Sequence, residues 1–543
     1  MWRYSAAMPT HEVLNQPPPL EDYDPLARDL PLLEGLRREG AAWAEAEAGA
    51  FARAIATREA LAWGFEANRN PPQLRTHDRF GHRIDEVEFH PAWHELMRLS
   101  IANGVHAGPW RDPREGAHVA RAAKMFLASQ TEAGHGCPLS MTYSAFPALQ
   151  RQPDLLEEWA PQIVSLVYDP RMLPAGEKRG ALIGMGMTEK QGGSDVRANT
   201  TRAEALGGGA WALTGHKWFC SAPMNDAFLV LAQAPRGLSC FLLPRWTPDG
   251  TRNRFYLQRL KDKLGNRSNA SAEVEFDRSW ARLVGEEGRG VATILEMVNH
   301  TRLDCVIGAA AIVRQALAQA IHHCRHRSAF GRRLIEQPLM REVLADLAIE
   351  SEAATVLMMR LARSYDRREE EAAFRRIATA VAKYWVCKRA APAIAEALEC
   401  LAGNGYVEES ILPRLYREAP LNSIWEGSGN VICLDVLRAL HKEPHSRDAL
   451  IAELRLARGA DRRLDAALDE VEAQLAKPEE RGARRLVESL AVALQASLLA
   501  RHSPRAVADA FCATRVAGDH GYAFGTLPAG LDVEGILGRA WPG

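Results

Sequence analysis

The sequence predicts a mainly α-helical protein with one central β domain, followed by an additional helical block at its C-terminal end. Three observations carry this expectation. Apolar residues recur at 3/4 spacing through residues 27–178. Short β-type runs replace them between about 181 and 285. The helical period then returns in long stretches from about 290. At 543 residues, with 47% hydrophobic and 25% charged residues, the chain can build several globular cores. The changes of period divide it into residues 1–180, 181–288, 289–442 and 443–543.

Residues 9–25, PTHEVLNQPPPLEDYDP, are proline-rich and predict an extended arm. Helices follow, as in PLLEGLRREGAAWAEAEAGAFARAIATREALAWGFEA and HPAWHELMRLSIANGVHAG. The runs AWALTG, HKWFCSA, AFLVLAQA, LSCFLLPR and SAEVEF, separated by Gly, Asn, Asp and Pro, predict an antiparallel sheet or small barrel. Three long helical stretches after residue 290, with the helix after Glu426, predict a four-helix bundle. A last helical block opens after HKEPHSRD.

A net charge of −1 gives no global field toward nucleic acid or membrane, so any such site must be a local patch. Nine cysteines, an odd number with no CxxC, predict reduced core thiols, no zinc cage and a cytoplasmic protein. The N-terminal MWRYSAAMPTHEVLNQPPPL lacks the apolar core of a signal peptide. No stretch suggests a membrane span of about 18 apolar residues.

Two segments invite chemistry. IGMGMTEKQGGSDVRANTTRAE, residues 183–204, is a glycine-rich loop without dinucleotide-turn or P-loop spacing. Read alone it is a plain loop, or a set of amides and hydroxyls able to bind a flat polar ring and a pyrophosphate. LNSIWEGSGNVICLDVLRAL, residues 421–440, places Glu426 at the lip of a helix. Read alone it is a cap, with Ser428 or Asn430 as the capping residue. The competing reading is a catalytic carboxylate on glycine-thinned backbone.

Taken in order, MTEKQGGSDV, GHKWFCSA, RSAFGRRLIEQPLMREVLADL, LAGNGY and RLYREAPLNSIWEGSGN resemble the acyl-CoA dehydrogenase family over roughly residues 80–440. The family's fold is a helical domain, a β domain and a four-helix bundle. The arm HEVLNQPPPLEDYD, the segment SQTEAGHGCPLSMTYSA, the loop TEKQGGSDVRANTT and the tail of about 100 residues further resemble the AidB group. These are bacterial FAD-containing relatives linked to the response to DNA alkylation, with a C-terminal helical domain proposed to bind double-stranded DNA.

The resemblance implies roles. Met185, Thr188, Gly192, Gly193 and Ser194 would contact the flavin of FAD, with Phe219, Cys220 and Ser221 against its ring. Arg327, Phe330 and Gln337 would meet the FAD of a neighbouring subunit in a homo-oligomer, a tetramer in the family. Gly427, Ser428 and Asn430 would close over the cofactor. Asn299 and Arg302 would help hold an acyl-CoA, although the family carries Asp at the position of Asn299; near the cofactor, Glu399 stands where the family often has Gln. Glu426 aligns with the catalytic carboxylate. Residues 446–543 of the tail hold 13 Arg or Lys against 14 Asp or Glu and are not net basic. Its arginines cluster, and Arg455, Arg458 and Arg462 would share one helix face toward double-stranded DNA, or toward solvent or another subunit.

Overall fold

The computed structural model describes residues 10–541; the first residue of the proline-rich arm lies outside them. The described arm crosses one end of the bundle and is tied to it by side chains. Asn15 Nδ2 donates to the Ser328 carbonyl at 2.8 Å, Ser328 N donates to Asn15 Oδ1 at 2.7 Å, and His322 Nε2 meets the Pro18 carbonyl at 2.8 Å. A segment with little apolar content of its own is thereby ordered through polar contacts.

The first helical block runs from Leu30–Arg38 to Pro153–Ile163. Its starts are chemically marked. Asp29 Oδ1 accepts from Leu32 N at 3.1 Å, and Thr57 Oγ1 accepts from Ala60 N at 3.2 Å. Two strands interrupt it, β1 (Gln73–His77) and β2 (Arg83–Glu88), paired antiparallel. The apolar periodicity gives no sign of this hairpin, because the half-buried face of β1 carries Leu74 and a polar Thr76, and the buried residue of β2 is Asp85.

The β domain is one seven-stranded sheet: β3 (Ile183–Gly186), β4 (Arg202–Gly207), β5 (Ala210–Ser221), β6 (Ala227–Ala234), β7 (Gly237–Pro244), β8 (Phe255–Leu260) and β9 (Ser271–Val284). Pairing of β6 with β7 and of β7 with β9 curls it toward a barrel. The expected antiparallel arrangement is corrected in one respect. The short β3 runs parallel to β6, with Ile183 opposite Ala227, and β4 also touches β6 in parallel. Four residues, two of them glycine, are too few to announce a strand. In β6 both faces are buried. Ala227, Leu229 and Leu231 join the core shared with the first helical block, while Phe228, Val230 and Ala232 fill the interior of the sheet.

The bundle consists of Gly290–His326, Pro338–Asp366, Ala372–Glu399 and Gly429–Lys442. Contrary to the composition reading, the first of these is long and apolar enough to span a membrane, but 83% of its apolar window is buried inside the protein. It is the central helix of the fold. The tail helices Pro444–Arg455, Arg462–Leu475 and Ala483–His502 extend the same hydrophobic core. Buried ion pairs tie tail to bundle: Glu453 with Arg360 at 2.8 Å and Arg539 with Glu352 at 2.9 Å. All nine cysteines are free and buried.

Candidate functional site

The glycine-rich loop leaves β3 at Met185 and is pinned by a residue inside it. Glu189, fully buried, accepts from Lys217 Nζ at 2.7 Å, Thr200 N at 2.7 Å and Thr201 N at 3.1 Å. Burial pushes its pKa up, but the Lys217 ammonium and these donors override that and hold it well below the ordinary carboxylate range. Gly192 adopts φ +137°, and a Cβ on Gly193 would lie 2.3 Å from Thr188 Oγ1, so both positions require glycine. Thr188 and Ser194 keep their hydroxyls free of protein partners among the described residues. On β5, Phe219 points out and is 51% exposed, Cys220 points into the sheet, and Ser221 is partly buried.

The Glu426 turn borders the same core as this loop. Met185, Met187, Met224 and Trp425 pack against one core, which brings the β3 loop and the Glu426 turn together. Cys137, at the start of the helix Gly136–Leu149, lies close enough to feel both Ser221 and Glu426, and burial pushes its thiol up to about 11.

Glu426 stands at φ +58° and Gly427 at φ +113°. A left-handed glutamate costs roughly 1 kcal/mol or more, so the surroundings must hold it. They do so through three residues. Thr301 Oγ1 lies 2.8 Å from Glu426 Oε2, Arg302 Nε donates to the Glu426 carbonyl at 3.0 Å, and Lys383 Nζ donates to the Gly427 carbonyl at 2.7 Å. Burial raises the Glu426 pKa above its ordinary value, against the opposing pull of Thr301, Arg302 and Lys383. Thr301 Oγ1 also lies 3.0 Å from the Val298 carbonyl. Its single proton can serve the ionised carboxylate. Once Glu426 is protonated, that proton can turn to Val298 while the hydroxyl oxygen accepts from the acid. The site therefore accommodates a base before and after it takes a proton.

Other expected positions fall as follows. Arg302 is turned inward, with Nη1 on Asp435 Oδ2 at 2.7 Å and only 7% exposure. It supports the Glu426 turn and does not face a substrate, because Asp435 satisfies its charge inside the bundle. Asn299 is half-buried, and its carbonyl accepts from Tyr365 at 2.7 Å. Ser428 begins the helix Gly429–Lys442 but makes no side-chain cap, and Asn430 Oδ1 accepts from Arg484 at 3.4 Å. The capping reading thus fails for Ser428. Phe330 is 98% exposed at φ +52°, Gln337 Nε2 donates to the Ala329 carbonyl at 3.0 Å, and Arg327 Nη1 donates to the Asn15 carbonyl at 2.6 Å.

The tail arginines depart from expectation. Arg455 ends one helix and Arg462 starts the next, so Arg455, Arg458 and Arg462 share no helix face. Gly459 at φ +89° breaks the chain direction, and Asp461 caps the second helix. Arg455 pairs with Glu472 at 2.6 Å and Arg458 with Asp469 at 2.8 Å. Arg462, Arg481 and Arg485 are exposed, with no ion pair among the described residues.

Thr301, Lys383, Glu189 and Lys217 are the site residues that sequence reasoning missed. Glu189 and Lys217 lie within quoted motifs, and Thr301 within the NHTR stretch beside Arg302. Lys383 had no signal beyond a lone cation in an otherwise apolar stretch of helix.

Comparison with known proteins matches residues 15–170 to the adaptive response protein AidB N-terminal domain, 184–279 to the acyl-CoA dehydrogenase middle domain and 288–441 to the acyl-CoA dehydrogenase C-terminal domain. The chain is 49% identical to AidB of Escherichia coli (strain K12), across 93% of this chain and 94% of that protein. It is 32% identical to acyl-CoA dehydrogenase family member 11 of Caenorhabditis elegans, across 70% of this chain and 64% of that one. The crystal structure of Caenorhabditis elegans ACDH-11 in complex with C11-CoA superposes with a TM-score of 0.84 at 27% identity, covering 94% of this chain and 93% of that one.

Proposed function

Because this chain belongs to the acyl-CoA dehydrogenase family and to the AidB group within it, we propose that it is an FAD flavoprotein whose Glu426 removes the α-proton of an acyl-CoA thioester. FAD is the family's cofactor, and when bound it supplies the acceptor for the β-hydride. The residues present fit it. Exposed Phe219 offers a flat apolar face, and Thr188 and Ser194 offer hydroxyls without protein partners on a loop that only glycine can close.

The observation that carries the reading is the Glu426 carboxylate, held in a left-handed turn with its pKa raised by burial. A carboxylate so placed is a stronger base than one in water. Arg302 and Lys383 keep its turn in place, and Thr301 follows its protonation state. The C11-CoA seen with ACDH-11 supports a medium-chain acyl group as the first to try. The test is anaerobic mixing of the holoenzyme with butyryl-, octanoyl- and undecanoyl-CoA. Bleaching of the flavin absorbance by at least one is expected; no bleaching by any of them overturns the reading.

A second reading is supported by Arg481, just before the tail helix Ala483–His502, and Arg485 in its first turn, both exposed and without an ion pair among the described residues. We propose that they meet phosphates of double-stranded DNA without reading bases, in keeping with the AidB group's link to DNA alkylation. The exposed Phe330 and Leu339 suit a second copy of the chain, in line with a homotetramer.

A further inference from the structure

Lys383 is an ammonium only 1% exposed in the middle of the helix Ala372–Glu399. Its acceptors are two backbone carbonyls, Asn422 at 3.1 Å and Gly427 at 2.7 Å, and it makes no ion pair among the described residues. A buried cation served only by neutral carbonyls is costly, and a functional return is the usual reason for keeping one. Those two carbonyls bracket the turn that carries Glu426. The same turn is closed again by the Trp425 indole, which donates to Asn422 Oδ1 at 2.9 Å.

We infer that Lys383 is a positioning residue for the base: it fixes the 422–427 turn from inside, and its positive charge makes the ionised form of Glu426 easier to reach. The inference rests on the reading of Glu426 as a base. Arg302 also favours the ionised Glu426, more strongly than Lys383 does, but it is paired with Asp435 at 2.7 Å, which is itself shared with Arg376 at 2.9 Å. Lys383 has no such partner among the described residues, and its charge adds to that of Arg302 in favouring the ionised carboxylate. The other titratable groups facing Glu426 are Cys137 from the first helical block and Cys305 from the central helix. Burial raises both thiols, and that of Cys387, which with Cys305 and Lys388 faces Lys383, so the thiols remain neutral and the only other charge facing the lysine in this set is a second cation.

The test follows the Glu426 carboxyl directly, as the infrared carboxylic-acid carbonyl band that Glu426→Gln removes, titrated in the FAD-loaded protein. Lys383→Met is expected to move the midpoint up by about 1 pH unit, since a neighbouring cation is worth a shift of that order. Lys383→Arg should return it most of the way. Flavin bleaching by undecanoyl-CoA should slow about 10-fold in Lys383→Met, with its acid limb displaced in the same direction. If Lys383→Met gives no holoenzyme, Lys383→Gln, which keeps a donor without the charge, takes its place. An unchanged midpoint overturns the inference, as does a Lys383→Arg midpoint shifted as far as that of Lys383→Met. If no acyl-CoA bleaches the wild type, the acyl-CoA reading fails while the infrared titration still decides the role of Lys383.

Discussion

Glu189 and Lys217 form an ion pair at 2.7 Å, with both side chains fully buried. The lysine also donates to the Leu231 carbonyl at 2.8 Å, and the glutamate binds the Thr200 and Thr201 amides. The pair thereby fastens the glycine-rich loop to β5 and β6. Removing one partner strands the other charge in the interior, a loss of about 3–5 kcal/mol. Lys217→Met is therefore expected to lower the melting temperature and weaken FAD retention. Lys217→Met combined with Glu189→Met should recover part of the melting temperature, because no charge is orphaned although the Thr200 and Thr201 amides and the Leu231 carbonyl lose their partners. Equal losses in the single and double variants would contradict this account. The measurements are thermal denaturation and flavin content after gel filtration.

Glu426→Gln should retain FAD and lose bleaching by acyl-CoA by about 10²-fold or more, since an amide keeps the shape but takes no proton. The substitution also has a stability signature. The folded-state pKa of Glu426 is raised, so stability linked to this group is greatest below its unfolded pKa and falls as pH rises through the folded pKa. Glu426→Gln should thus melt above wild type at pH 8, with the advantage shrinking toward pH 5. A lower melting point at pH 8 would show that the carboxylate is a structural element instead.

The raised pKa also predicts the activity profile. Turnover requires the ionised carboxylate, so flavin reduction should rise with pH through a limb above the ordinary carboxylate range. Thr301→Val should slow reduction about 10-fold, whereas Thr301→Ser, which keeps the hydroxyl, should stay near wild type. Stopped-flow absorbance across pH gives both. Equal rates in Thr301→Val and wild type would remove Thr301 from the site.

For DNA, the unpaired arginines are the ones to change. Arg481→Glu with Arg485→Glu should weaken duplex binding and reduce the slope of log affinity against log salt by about 2. Arg455→Ala with Arg458→Ala should bind as wild type does, because Glu472 and Asp469 already occupy these side chains. Fluorescence anisotropy at two salt concentrations separates the cases, and the reverse ranking would return the contact to the first cluster.

The helical, β and helical order was legible because each block is long enough for its period to show, and the aromatic-Glu-Gly sequence marked Glu426 as the candidate that the structure holds in a left-handed turn. What escaped had physical causes. The hairpin of β1 and β2 turns Leu74 and Val87 toward the sheet core but fills its other inward positions with polar residues, Asp85 among them, so no apolar alternation records it. Arg455, Arg458 and Arg462 have the spacing of one helix face, but one helix ends at Arg455 and the next begins at Arg462, with Gly459 turning the chain between them. Lys383 lies 43 positions from the residue it is argued to serve, in a helix whose other inward residues are simply core, and only packing joins the two.

The nine buried thiols have a practical consequence. Burial raises the pKa of every one, among them Cys387 to about 11 and Cys220, Cys240 and Cys512 to about 12. An electrophile that needs a thiolate meets no reactive sulfur on the native molecule. Each labelled cysteine then timestamps the opening of its own neighbourhood: Cys220 for the sheet interior, Cys387 for the bundle and Cys512 for the tail. The chain carries built-in reporters of which part comes apart first.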